Sequence, residues 1–309
     1  MIEDSDIKTT VSPFAMREGE IKIFDGKDGY VSMNQILQKI NQGQINDLHF
    51  KIIELVNKFE FLTSRQILQL LELEKVEVGS QDKLNKRLEQ LIKCKILTRY
   101  YFTSKEGNSI YRVYALEKMG KYLLNSREID CKWQPSDNAK PVEMIKKKLA
   151  GNQLVIAYMK KVKSFKSFEL KPEIKAKLNS KIFKPIAKIT FNYQGKDIDF
   201  VYEAIRRNED YEKKLIERMN LWKDFYENFV PGYSGFINIP QLVFLCEDNK
   251  QMAEVYKILF INKIKIDKIN FYYTTDLKQN EERLDKSLYD FVYEDNQFKL
   301  RNIEAKILE

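Results

Sequence analysis

Between Gln44 and Phe59 the apolar residues Ile45, Leu48, Ile52, Ile53, Leu55, Val56 and Phe59 recur at intervals of three and four, which predicts a helix with one buried face. LTSRQILQLLEL follows, with Thr63 and Gln66 in the N-cap and N3 positions of a capping box, and predicts a second, short helix. Beyond EKVEVG, Ser80 is placed to cap a third helix, SQDKLNKRLEQLIKCK. Its apolar stripe is Leu84, Leu88, Leu91 and Ile92, and its opposite face is polar and basic. ILTRYYFT and SIYRVYAL are rich in β-branched and aromatic residues and are separated by SKEGN, so they predict a β-hairpin. LEKMGKYLL then returns to helical spacing. Three helices, a hairpin and a helix over residues 44–126 is the order of a winged helix-turn-helix, in which the third helix enters the major groove and the wing follows the phosphate backbone.

The stretch 127–140, REIDCKWQPSDNAK, loses this periodicity and is expected to be a linker. Pro141 then opens a helix, VEMIKKKLAGNQLVIAYMKKV. IAKITFNY and DIDFVYEAI predict a hairpin around QGK, and residues 208–229 a long helix. A PGYSGF loop, the strand IPQLVFLCE, the helix MAEVYKILF and the strand KINFYYTT complete the series. Strand, helix, strand, helix, strand implies a partly parallel sheet, because parallel neighbours require crossovers. The expected class is therefore α+β, with a winged helix followed by an α/β domain over 141–309 whose mixed sheet has the element order of PD-(D/E)XK nucleases. Residues 1–43 form an extension in which GEIKIFDGKDGYVSM suggests a small hairpin. The C-terminal KSLYDFVYEDNQFKLRNIEAKILE reads as a packing or dimerisation element, compatible with a homodimer.

Composition narrows the picture. Only 11 Gly and 7 Pro in 309 residues speak against a sandwich of many tight turns. Cys94, Cys131 and Cys246 are far apart and form no CxxC pair, so neither a disulfide framework nor a zinc site is expected. MIEDSDIKTT lacks the positive start of a signal peptide, and no uncharged apolar run approaches membrane-spanning length, so a cytoplasmic protein without membrane partners is expected. The single histidine, His49, lies within a helical stretch and has no nucleophile or acid partner nearby, which makes a structural role the expectation.

The net charge of +8 is unevenly spread. Residues 80–122 hold ten Lys and Arg against four acids, and residues 140–188 hold fourteen Lys against three Glu. These two segments exceed the whole net charge, which is the distribution of an electrostatic footprint for a polyanion and points to double-stranded DNA. On the third helix the positions not needed by the core are Gln81, Lys83, Asn85, Lys86, Gln90 and Lys93, where the amides can read adenine edges and the lysines can meet guanine or phosphate. Arg99, Lys105, Asn108 and Arg112 on the wing, with Lys146 and Lys147 beyond it, are the candidate phosphate contacts.

An alternative is a Mg²⁺-dependent endonuclease in which Asp199 and Glu203 hold the metal and Lys213 serves the attacking water. Asp197, Asp199 and Glu203 share one strand face, yet the segments that should supply Pro-Asp and Glu-x-Lys read Pro185-Ile186-Ala187 and Glu203-Ala204-Ile205. A sequence-preferring DNA binder without a cofactor is therefore favoured over the nuclease. A protein-interaction adaptor is the third reading.

LTSRQILQLL, the basic third helix ending KCKILTR, the wing, YALEKMGKYLL, LAGNQLVIAY and the stretch from DFVYEAIRRNEDY to YENF together resemble the replication-relaxation family over residues 50–260. The resemblance implies a DNA-binding protein of a plasmid or other mobile element, acting in replication, transfer or transcriptional control. It also implies a nuclease-like second domain, in whose core Glu203, Arg206 and Glu209 would stand.

Overall fold

The computed structural model describes residues 11–27, 29–178, 180–266, 268–280, 283–294 and 297–309. The first ten residues, read above for leader character, lie outside the described set. The protein is mixed α+β, with eight α-helices among the described residues and several sheets, one of them mixed. It divides into two compact units, one of residues 16–160 and the other of residues 161–309 joined by the segment ending at Ala15.

The first unit begins with β1 (Ile21–Phe24) and α1 (Met33–Asn41), then α2 (Asp47–Phe59), β2 (Phe61–Thr63) and α3 (Ser64–Leu73). α4 (Gln81–Lys93), β3 (Leu97–Ser104), β4 (Gly107–Asn108), β5 (Val113–Leu116), α5 (Lys118–Asn125) and α6 (Val142–Lys161) follow. The capping signals act as expected. Thr63 and Gln66 form the reciprocal box at α3, and the Ser80 hydroxyl accepts the Lys83 N–H at the start of α4. The antiparallel sheet runs β1-β3-β5-β2, with β4 pairing the end of β3.

Two features differ from expectation here. GEIKIF makes no hairpin of its own; β1 instead lies along the outer edge of β3, pairing Ile21 to Phe24 with Thr103 to Tyr100. The domain boundary falls after α6 and not before it. The reason lies in α6 itself, whose polar side chains close on the α2–β2 turn. Asn152 donates to the carbonyls of Phe59 (3.2 Å) and Phe61 (2.7 Å), and Gln66 of α3 donates to the Leu149 carbonyl (2.8 Å). At that turn Glu60 has a left-handed φ of 65°. Its carboxylate pairs with Lys140 (3.2 Å) and with Lys148 of α6.

In the second unit, β6 (Phe165–Leu170), the short pair β7 (Ile174–Lys175) and β8 (Ile182–Phe183), β9 (Ala187–Tyr193) and β10 (Lys196–Ala204) precede α7 (Tyr211–Glu227). β11 (Gln241–Cys246), α8 (Asn249–Ile261), β12 (Phe271–Thr275), β13 (Leu288–Glu294) and β14 (Gln297–Ile303) complete it. Seven strands form one sheet in the order β14-β13-β12-β11-β10-β9-β6. The central strands β10, β11 and β12 are mutually parallel, linked by α7 and α8 as the crossover rule requires, and the flanking pairs are antiparallel. Val201, Leu242, Phe244 and Tyr273 of the sheet share a core with Trp222 and Phe225 of α7 and with Met252 and Val255 of α8. Each such side chain contributes about 1.5–3 kcal/mol by leaving water.

Beyond the ends of the parallel strands lies a buried polar anchor. Arg206 is fully buried and donates to Asp276 (2.8 Å), whose other oxygen accepts the Ser12 hydroxyl (2.5 Å). Burial pushes the Asp276 carboxyl upward in pKa, against the pull of Arg206 and Ser12. Among the described residues, no helix is long and apolar enough to cross a membrane. The three cysteines are free and buried.

Candidate nucleic-acid interface

α4 buries Leu84, Leu88, Leu91 and Ile92 and turns the residues between them outward. Lys83, Asn85, Lys86 and Lys93 are exposed, and Gln81 is half-buried. Gln81 donates to Asn85 across one helical turn (3.1 Å), which joins the half-buried amide to the exposed one. Lys83, Lys86 and Lys93 enter no ion pair among the described residues. The surface therefore offers two planar donor–acceptor groups flanked by three ammonium groups on one rigid rod. Gln90 does not join them, because its amide donates to the Gln44 carbonyl (2.8 Å) and ties α4 to the start of α2.

The wing cations are differently placed. Arg99 is 19% exposed and sits between Asp25 (3.0 Å) and Glu89 (3.0 Å). Arg112 pairs with the same Asp25 at 2.7 Å, stacks over the Tyr101 ring at 5.0 Å, and remains 45% exposed. Lys105 reaches Glu18 (3.2 Å) in a fully solvated pair, and Asn108 is exposed in β4 beside Gly107, whose carbonyl accepts from Arg17 (3.4 Å). The segment around β1 thus lays Glu18 and Asp25 against cations expected to face phosphate. The reading of Arg99 as a phosphate contact is corrected, since its guanidinium is spent on two carboxylates. No local pattern announces these acids, because the strand they flank pairs with residues about 80 positions away.

Lys146 requires a stronger correction. Its side chain and that of Glu20 are each 1% exposed and form an ion pair, with the ammonium 5.5 Å from the Phe102 ring centroid, so it cannot reach a duplex. Lys147 is half-buried and pairs with Glu143 one turn back (2.6 Å).

In the second unit the three nuclease candidates are not brought together. Asp199 accepts the Thr190 hydroxyl (2.6 Å) and pairs with Lys188 (3.4 Å). Glu203 is buried, accepts the Trp222 indole N–H (2.8 Å) and pairs with Arg218 (3.2 Å). Four residues apart on one strand, their Cα atoms are separated by roughly 13 Å, too far for both carboxylates to ligate one ion at about 2 Å. Lys213 is exposed on α7 in a patch with Glu209, Asp210 and Glu217. Asp285, Glu304 and Glu309 form the one described group of three carboxylates close enough to surround a cation, and Asp285 is already held by Arg283 (3.1 Å).

His49 is buried in the first turn of α2 against Asn46. Burial, with Arg87 nearby, holds its imidazole below the ordinary value.

Comparison with models of protein families, with curated proteins and with solved structures finds no match to this chain.

Proposed function

We propose that this chain is a sequence-preferring double-stranded DNA-binding protein whose reading element is α4. In this reading α2, β2, α3, α4, β3 and β5 constitute a winged helix, with α4 in the major groove and the β3–β5 connection along the backbone. The observation that carries it is α4 itself, which exposes Asn85, bonded to Gln81, together with Lys83, Lys86 and Lys93 while Leu84, Leu88, Leu91 and Ile92 are buried. Asn and Gln pair bidentately with adenine, and lysine reaches guanine acceptors or phosphate. Lys105, Asn108 and the exposed part of Arg112 supply the backbone contacts of the wing. Replication, transfer or transcriptional control of a plasmid or other mobile element is the setting that the family resemblance suggests.

The second unit is proposed as a non-cutting, nuclease-like scaffold. Its strand order β6-β9-β10-β11 suits such an ancestry, but Asp199 and Glu203 are committed to Lys188, Thr190, Arg218 and Trp222.

Selection of bound duplexes from a random pool by the full chain tests the main reading. Enrichment of a motif by the native protein, flattened by Asn85→Ala, supports it; equal binding of all duplexes by both proteins refutes it. Incubation with supercoiled DNA and Mg²⁺ or Mn²⁺ tests the scaffold assignment, and nicking that disappears in Glu203→Ala would overturn it.

A further inference from the structure

β6 and β9 are antiparallel neighbours, a geometry that a loop of about two to five residues can close. The chain instead spends residues 171–186 between them and builds the β7–β8 ribbon. This segment carries five lysines against the single Glu173. Ile174 pairs with Phe183 and Lys175 with Ile182, so strand alternation sorts the residues by face. Ile174, Ala176 and Phe183 are buried in the core of α7, where the Phe183 ring meets Trp222 edge-on at 4.9 Å. Lys175 and Lys177 point outward with Ile182, and Lys181 is exposed beside them. Lys184 is occupied by Glu173 (2.6 Å). Burial, aided by the Lys184 charge, lowers the Lys171 ammonium at the ribbon's base to about 8.

The backbone at Lys175 and Leu178 is anchored. The Leu178 N–H donates to both oxygens of the buried Asp224 carboxylate (3.1 and 3.0 Å), and the Lys175 N–H donates to the Ser234 hydroxyl (3.2 Å). Yet the Leu178 side chain is 78% exposed and Ile182 59%. A long insertion thus fixes a large apolar side chain in water, between lysines, by anchoring its backbone to the core. An apolar wedge flanked by cations on a two-stranded ribbon is the equipment of proteins that enter and bend the minor groove.

We propose that the β7–β8 ribbon is a second duplex-binding arm, with Lys175, Lys177 and Lys181 against phosphates and Leu178 pressed into the minor groove. It rests on the DNA-binding reading for its choice of partner, but not on α4 as the reading element.

The test uses the full chain and an end-labelled 30-base-pair duplex, measuring affinity against salt and duplex bending by energy transfer between the ends. Lys175→Gln/Lys177→Gln/Lys181→Gln should weaken binding roughly tenfold or more and flatten the log–log salt slope by about three. Leu178→Ala should leave that slope unchanged and abolish the bend. All four residues are exposed, and an unchanged thermal midpoint confirms that the variants fold. Full affinity and slope in the triple variant, alongside weakened binding in Asn85→Ala/Lys86→Ala, would overturn the arm and leave α4 standing. The reverse pattern would support the arm and remove α4. An unaltered bend in Leu178→Ala refutes the wedge. No salt-sensitive binding of duplex by the native protein refutes both sites, and binding only to vesicles containing phosphatidylserine would replace DNA by a lipid surface as the arm's partner.

Discussion

Two lysine-rich stretches only about thirty residues apart meet opposite fates. Lys146, Lys147 and Lys148 are consecutive on α6, where each step turns the side chain by roughly 100°, so three neighbours cannot share a face. Two of them turn inward, Lys146 to Glu20 and Lys148 to Glu60. Lys175 and Lys177 are separated by one residue on a ribbon, where a period of two keeps them together on the solvent side. Lysine clusters thus produce a structural clamp in one place and a cationic surface in the other. A charge count becomes a footprint only after the local period has been taken into account.

The contrast breaks or holds most visibly at Lys146. Lys146→Ala leaves Glu20 buried without its counter-charge and should cost about 3–5 kcal/mol in urea unfolding, whereas Lys147→Ala should stay within about 0.5 kcal/mol. Normal stability in Lys146→Ala combined with weakened DNA binding would reverse the comparison. On the outward side, Asn85→Ala should lose about 1–3 kcal/mol of discrimination between preferred and scrambled duplexes, while Lys86→Ala should weaken both alike and reduce the salt slope by about one. Competition assays at two salt concentrations separate the two effects.

An intermediate case is Arg112, outward but neutralised. Asp25→Asn removes its carboxylate partner and one of the two that hold Arg99, so duplex affinity should rise several-fold with a steeper salt slope, at a stability change below about 1 kcal/mol. Unchanged affinity would show that the wing stays off the backbone. The smallest effect concerns His49. Its folded pKa lies below the ordinary 6.5, so the unfolded chain binds the extra proton first, and stability should decline as pH falls below 6.5. Chemical denaturation from pH 7.5 to 5 should show this slope in the native protein and a flatter one in His49→Gln.

These contrasts also explain what the chain discloses in one dimension. α3, α4, β10 and α7 were legible because their signals are local: the Thr63–Gln66 box, the Leu84–Leu88–Leu91 stripe and the run of apolar residues in each strand. That part of the sheet is parallel followed from the helices between β10, β11 and β12, though their register did not. On α4 the outward set was legible except for Gln90, whose partner Gln44 lies 46 positions away in the loop before α2. Long-range events were not legible. β1 pairing with β3, Asp25 meeting two arginines and Asn152 closing the Phe59–Phe61 turn join residues 74 to 93 positions apart, and no short pattern encodes them. Asp199 and Glu203 gave a half-signal, because shared strand parity is local but their partners on β9 and α7 are not. The ribbon could have been found, since Ile174-Lys175-Ala176-Lys177 alternates as a strand does.

β1 also closes an edge of the first unit's sheet. Without it, Tyr100 to Thr103 of the eight-residue β3 would present bare amide and carbonyl groups, a ready template for pairing with another chain. Four residues, one of them Lys22 with its ammonium bonded to the Asn138 and Lys140 carbonyls, make a far poorer template. A chain trimmed beyond Phe24 should therefore aggregate at concentrations where the intact one stays dispersed, which light scattering on the two forms would reveal.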